Sequence, residues 1–438
     1  MNMPDSISIQ INEALHLAFL LHKTGSLAEA EMLYCRILDA APETLDALHY
    51  LGMLCHQDKR MKEAVELIGR IIALDPANAD AHNNLGNVYE GIGDDGTAEI
   101  YFRKAIELNP EHAPAYNNLG VVLAEQSRLD EAIEAYRQAI KNAPDTAEFH
   151  YNLGNALRRN AAIEESIDAY KAATAISPDH FGAWQGLARM LRFAGRQDEA
   201  VTVFDNLLRM NPGNPTFSYL RSACIGDNTP DRAPDSYVQQ IFDDASGYFD
   251  KHLEGLEYRA PELLSEAIAV LLSPPEKALD ILDAGCGTGL CGALLRPYAL
   301  KLVGVDLSEG MLHKAAARCA YDDLFKGELT NFLERNKDSY DVIISADTLC
   351  YFGALEVVFA GSAGALKEKG LLAFTLEEGG EGKTGFLLNS TGRYSHARDY
   401  VEKSLLAAGF VIETFTTPTL RNEGKHPVTG HLVVARKS

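Results

Sequence analysis

Large apolar residues recur along the first half of the chain at a spacing of 34: Leu17, Leu51, Leu85, Leu119, Leu153 and Leu187 form one ladder, and Tyr34, Ile68, Phe102, Tyr136, Tyr170 and Phe204 form another. Small residues keep the same register at Ala18, Gly52, Gly86, Gly120, Gly154 and Ala188, and again at Ala30, Ala64, Ala98, Ala132, Ser166 and Ala200. Prolines follow it too, at Pro42, Pro76, Pro110, Pro144, Pro178 and Pro212. Small positions let paired helices approach closely, and a proline cannot continue a helix, so the period predicts six helical hairpins, each closed by its proline. Residues 217–225 are expected to form a capping helix.

Beyond Gly226 the periodicity changes. A polar, turn-rich stretch, 226–235, reads as a linker. Two amphipathic helices, over 236–252 and 261–272, are followed by short apolar runs that alternate with helical segments. The runs cover 278–283, 300–306, 340–345 and 370–376, with a weaker one near Tyr321. Such alternation predicts a parallel sheet with helices on its faces. The last two runs, 410–416 and 431–435, are joined by a turn too short to hold a crossover helix, so the final strand should run antiparallel. The expected domains are an all-α solenoid over 1–225, the linker, and an α/β domain over 236–438.

The 34-residue pattern over about residues 12 to 216 resembles tetratricopeptide repeats. That resemblance implies a concave groove that binds a protein or peptide. Asn84, Asn87, Asn118, Asn152 and Asn155 fall at two positions three residues apart on the first helices of repeats three to five. In peptide-binding arrays such asparagines line the groove, where a carboxamide can both donate to and accept from a peptide backbone. The alternative is that Asn is simply a common solvated residue there.

The chemistry of the second half begins at Asp283-Ala284-Gly285-Cys286-Gly287-Thr288-Gly289, a glycine-rich turn between an apolar strand and a helix, where glycine lets a ligand approach the backbone. Leu290 stands where a dinucleotide fingerprint GxGxxG needs its last glycine, and the Lys and Ser or Thr of a nucleoside-triphosphate loop are missing. Twenty-one residues after Gly285 the next strand ends in Asp306, whose carboxylate can accept from both hydroxyls of a ribose. The turn looks like motif I of class I methyltransferases. The resemblance implies S-adenosylmethionine as cofactor, a Rossmann-like fold with an antiparallel last strand, adenine contacts from Leu307, Met311 and Glu328 with Leu329, and methyl transfer beside Asp347. Taken singly, Gly285 could be only a turn, Asp306 a surface carboxylate and Asp347 a helix cap.

A narrower resemblance, carried by Tyr248-Phe249-Asp250-Lys251-His252-Leu253, Tyr258-Arg259-Ala260-Pro261 and Gly392-Arg393-Tyr394-Ser395-His396, is to a bacterial family of tetratricopeptide-containing methyltransferases. It implies that Tyr248 and Arg259 close over the cofactor. Residues 377–396 are too polar and glycine-rich to continue a sheet, so they are expected to cover an acceptor site. Gly379, Gly380, Gly382 and Gly385 would give mobility, and Phe386, Leu387 and Leu388 an apolar face. Arg393 could fix an acceptor carboxylate, and Tyr394 or His396 could take its proton. The rival account makes Ser395 a helix cap and His396 part of a solvated first turn.

Charge narrows the partners. The formal charge of −22, from 40 basic against 62 acidic residues, repels phosphate backbones at long range and argues against nucleic acid. Seven cysteines without a CxxC pair suit reduced thiols in the cytoplasm rather than a disulfide framework or a metal site, and no apolar run reaches membrane-spanning length. The acceptor, a small molecule or a protein side chain, is left open. So is a repeat scaffold that binds cofactor without catalysis.

Overall fold

The computed structural model describes residues 5–226, 229–272, 274–379, 385–423 and 426–438. They form two compact units, Met1–Met190 and Leu191–Ser438.

In the first unit, five antiparallel helix pairs follow one another: α1 (Asp5–Lys23) with α2 (Leu27–Ala40), α3 (Leu45–Gln57) with α4 (Met61–Leu74), α5 (Ala79–Ile92) with α6 (Asp95–Leu108), α7 (Ala113–Glu125) with α8 (Leu129–Asn142), and α9 (Ala147–Arg159) with α10 (Ile163–Ile176). The ladders explain the pairing. A Cβ at Gly86 would lie 2.6 Å from the Phe102 ring, and one at Gly120 2.6 Å from the Tyr136 ring, so each glycine makes room for the aromatic of the next helix. Aromatics so seated are almost wholly removed from water, which stabilises each hairpin by about 1.5–3 kcal/mol per ring.

The sixth hairpin is α11 (Phe181–Phe193), which spans the division between the units, with α12 (Gln197–Met210); α13 (Pro215–Ile225) then matches the expected cap. The predicted helix over 236–252 is broken into α14 (Asp235–Ala245) and α15 (Phe249–Gly255), followed by α16 (Ala260–Ala269). The sheet begins with β1 (Leu279–Ala284), α17 (Leu290–Leu295), β2 (Ala299–Asp306), α18 (Glu309–Ala317), β3 (Asp323–Lys326), α19 (Leu329–Arg335) and β4 (Tyr340–Ser345). It continues through α20 (Glu356–Ala365), β5 (Leu366–Glu378), β6 (Phe386–Leu388), β7 (Tyr394–His396), α21 (Arg398–Ala407), β8 (Phe410–Thr416), β9 (Thr419–Glu423) and β10 (His426–Lys437).

Strand order is β3-β2-β1-β4-β5-β10-β8, with β10 antiparallel to both neighbours. Alternate residues serve opposite faces: Leu282, Ile343 and Val433 join the core under α19, α20 and α21, while Ile281, Val342, Ile344 and Val434 join the core under α16 and α17. Both faces are covered, which is why these strands read as continuous apolar runs.

The stretch 377–396 departs from the expectation of a cover. β5 extends to Glu378, and β7 adds to it in parallel through Glu377 and Ser395 while pairing antiparallel with β6. Gly380 and Gly382 lie outside the described residues. The segment read as a linker is bonded as well, because Arg232 bridges Phe352 and the Ala233 N–H donates to the Tyr351 carbonyl at 2.8 Å; Asp227 and Asn228 lie outside the described residues.

Candidate functional site

Within the second unit a cavity of about 450 Å³ is bounded by the carboxyl ends of β1, β2 and β4. Its floor is the glycine turn. Gly285 has φ +78° and an added Cβ would fall 2.1 Å from the Thr348 hydroxyl, so no other residue fits there without displacing the chain. The Gly287 N–H donates to one oxygen of Asp306 at 2.9 Å and the Ser308 N–H to the other at 2.8 Å. Burial pushes the Asp306 carboxyl up, and these N–H groups oppose that shift by favouring the anion. Asp283 accepts from the Tyr321 hydroxyl at 2.6 Å through one oxygen, while the other is buried without a hydrogen-bond partner. Burial raises its pKa to about 7.

The opposite wall holds four charged side chains. Arg393 lies 2.9 Å from Asp347 and 2.7 Å from Glu377, at ion-pair distance though not aligned for hydrogen bonds. Arg421 donates to the same Glu377 oxygen at 2.8 Å and to Asp347 at 3.4 Å. Burial opposes the charge on Arg393, and Asp347 foremost restores it. Asp347 is held at φ +56°, which directs a carboxylate from the end of β4 into this group. Among the described residues, two acids thus face two arginines in this cluster.

α14 and α15 cover the cavity with Phe242, Phe249 and Leu253. Asp243 ties α14 to α18 by accepting from the Ser308 hydroxyl at 2.5 Å, and Asp250 ties α15 to the glycine turn by accepting from the Thr288 hydroxyl and from Arg318.

Comparison with known proteins places these features. The methyltransferase domain family matches residues 282–372, which contain the floor of the cavity, and tetratricopeptide repeat families match 17–79, 79–145, 117–181 and 151–215. The chain carries tetratricopeptide repeats and a methyltransferase domain. That family implies S-adenosylmethionine as cofactor. Human methyltransferase-like protein 27 is 47% identical over 77 residues, covering 17% of this chain and 31% of its own. The biotin biosynthesis bifunctional protein BioHC of Saccharophagus degradans is 32% identical over 124 residues, covering 27% of this chain and 22% of its own. The chain therefore spans less than a third of the length of these relatives. Among solved structures, an S-adenosylmethionine dependent methyltransferase from Mesorhizobium loti aligns with 39% of this chain and 96% of its own at 22% identity, with a TM-score of 0.31.

Of the residues singled out in the methyltransferase domain, Asp283, Gly285, Gly287, Asp306, Leu307, Glu328, Leu329, Asp347 and Arg393 line the cavity. Others do not. Gly289 caps α17 and lies against Tyr321, and Met311 is fully buried on the inner face of α18. Tyr248 is 60% exposed and lies against His252, and the Arg259 side chain is exposed, whereas its neighbour Tyr258 lines the cavity. Glu328 is spent as the cap of α19, accepting from Thr330, Asn331 and Arg232.

Tyr394 and His396 are corrected most sharply. Both are wholly buried in β7, away from the cavity lining; the Tyr394 hydroxyl donates to the Pro230 carbonyl at 2.7 Å, and His396 bonds the Gly353 carbonyl at 3.0 Å. Neither can reach an acceptor, and Ser395 is no cap because α21 starts at Arg398. Burial also pushes the Cys286 and Cys350 thiols up, which suits packing. Sequence reasoning assigned no role to Tyr258, although it stood in a quoted motif, and missed Glu377 and Arg421, which carry no motif and meet only through the sheet.

In the first unit the asparagines bond one another. Asn118 donates to Asn83 at 3.1 Å and to Asn87 at 2.8 Å, Asn152 donates to Asn117 at 3.0 Å, and Asn84 bonds His49 at 3.1 Å. Asn155 accepts from the Tyr170 hydroxyl at 2.7 Å. Much of the stripe therefore fixes the register of successive repeats.

Proposed function

We propose that this chain is an S-adenosylmethionine-dependent methyltransferase whose repeats recruit a protein or peptide. One observation carries the reading: Asp283 and Asp306 flank a glycine turn on a single cavity of about 450 Å³. The unpartnered oxygen of Asp283 suits an ammonium group, and Asp306, held by two N–H groups, keeps lone pairs for ribose hydroxyls. The cofactor, when bound, supplies an electrophilic methyl group on a sulfonium. The protein's part is to hold the acceptor in line and exclude water, to which α14 and α15 contribute the apolar side chains of Phe242, Phe249 and Leu253. Related proteins act on acceptors as different as malonyl-[acyl-carrier protein] and an 18S rRNA guanine. The acceptor here is accordingly set by this chain's own wall of Asp347, Glu377, Arg393, Arg421, Tyr258 and Tyr351. For the repeats, the carboxamide groups of Asn84, Asn87, Asn152 and Asn155 not used between repeats remain for a peptide backbone.

Calorimetry with S-adenosylhomocysteine tests the first part. Asp306→Ala removes a charged acceptor from two hydroxyls, each bond being worth about 1.5–3 kcal/mol, so affinity should fall at least about a hundredfold. Unchanged affinity with the fold intact removes Asp306 from the site. Radiolabelled cofactor incubated with native lysate then separates the acceptors: label in small molecules indicates a metabolite, label in protein a side chain, and label in neither counts against catalysis.

A further inference from the structure

The hairpin between β6 and β7 carries part of the acceptor wall. It is a tight turn, closed by the Asn389 N–H donating to the Arg393 carbonyl at 2.9 Å and the Gly392 N–H donating to the Asn389 carbonyl at 2.8 Å. Thr391 and Arg393 line the cavity. The residues between and beside them are held from outside. Arg192, in the last turn of α11, donates to the Ser390 carbonyl at 2.8 Å, and the hydroxyl of Tyr219, on α13, donates to the Gly392 carbonyl at 3.0 Å. Tyr219 is 1% exposed, and its ring packs against Tyr237 and Tyr394 at centroid distances of 5.3 and 6.2 Å. Gly392 is in the left-handed region at φ +81°, and a Cβ there would come 2.4 Å from the Tyr237 hydroxyl, so the turn has no slack on that side.

We propose that Arg192 and Tyr219, contributed by the last helices of the repeat array, are positioning residues for the acceptor wall: by gripping two carbonyls of one five-residue turn they set where Thr391 and Arg393 stand. The proposal rests on reading the cavity as the site of methyl transfer. Its physical basis is over-determination. The turn's own two backbone bonds fix its base and the outside donors hold its tip, while among the described residues the Arg393 Nε and Nη2 have no aligned hydrogen bond to resist a shift. Arg393 is instead held by charge between Asp347 and Glu377, with its guanidinium 5.7 Å from the centroid of the Tyr351 ring, attractions that vary slowly with position compared with a hydrogen bond. A change in α13 therefore moves Arg393 relative to those acids, while the floor formed by Gly285, Gly287 and Asp306 rests on β1 and β2 and is untouched. The end of a binding array is thereby built into the substrate side of the enzyme and kept out of the cofactor side.

The test uses the full chain with Tyr219→Phe, which keeps the ring and removes the donor, with Arg192→Met, and with Gly392→Ala, which perturbs the same turn from inside. The Arg393 side-chain Nε–H resonance is assigned through Arg393→Lys and followed by NMR, and amide exchange is measured over 389–393. Each variant should shift that resonance and speed exchange of the turn by about tenfold or more, while affinity for S-adenosylhomocysteine stays within about twofold. Phe359→Leu, a core change on the far side of β5, serves as a control of comparable loss in melting temperature and should leave the resonance in place. An unmoved resonance in Tyr219→Phe and Arg192→Met, whatever Gly392→Ala does, would overturn the proposal and leave the two residues as packing. An equal shift in the control overturns it too, because the effect would then be general loosening. Failure of the wild-type chain to bind S-adenosylhomocysteine would instead strike the reading of the cavity, and the NMR result distinguishes the two.

Discussion

Asp283 combines burial, a single hydrogen bond from Tyr321 and the nearby charge of Asp306, and its carboxyl is pushed up to about 7 by burial first of all. Its folded pKa exceeds the unfolded value near 4, so the folded protein binds the extra proton, and its contribution to stability is lost as pH rises from about 4 to about 7. A ligand ammonium beside it reverses the preference by stabilising the anion. Binding of S-adenosylhomocysteine should consequently release up to one proton at about pH 6 and almost none at about pH 8, so affinity should fall by up to about tenfold for each unit that pH drops below 7. Calorimetry in two buffers of different ionisation heat measures the release; none at the lower pH would separate Asp283 from the ammonium. Asp283 and Asp306 were legible because each ends an apolar run at a fixed interval. Glu328 lines the cavity as expected of it, but position alone does not reveal that Thr330, Asn331 and Arg232 already donate to its carboxylate.

At the scale of elements, the long parallel strands announced themselves as apolar runs, and 340–345 and 410–416 coincide with β4 and β8. β6 and β7 did not. Each has three residues, too few for a period, and glycines around them signal a loop. Sequence therefore put Tyr394 and His396 on an open segment, whereas pairing with β5 draws both inward. The consequence is measurable. Burial lowers the His396 pKa to about 4, so the unfolded state binds the proton more tightly, and His396 makes stability fall as pH drops from about 6.5 to about 4. His396→Ala leaves the Gly353 carbonyl without its partner and a cavity in the sheet, and should lower stability by about 2–4 kcal/mol in a denaturant titration. Wild-type stability in that variant would restore His396 as a candidate for chemistry.

At the scale of the whole chain, a repeat is visible in sequence because every hairpin repeats the same contact, glycine against aromatic, but a domain edge is defined by contacts that do not repeat. The 34-residue period runs on to Pro212, while the second compact unit already begins at Leu191. Side chains account for this. Tyr219 and Phe217 of α13 are buried, Tyr219 reaches Gly392, and the Tyr394 hydroxyl is held by the Pro230 carbonyl. A fragment starting inside the expected linker, 231–438, lacks every one of these partners and exposes Tyr237 and Tyr394, each worth roughly 1.5–3 kcal/mol when buried. A fragment 191–438 keeps them. The longer fragment should therefore be monodisperse and bind S-adenosylhomocysteine within about twofold of the full chain, whereas the shorter should melt at least about 10 °C lower and tend to aggregate. Equal melting of the two fragments would show that the last helices of the array only lean on the methyltransferase domain, and would put its edge beyond the linker 226–235, where the change of periodicity placed it.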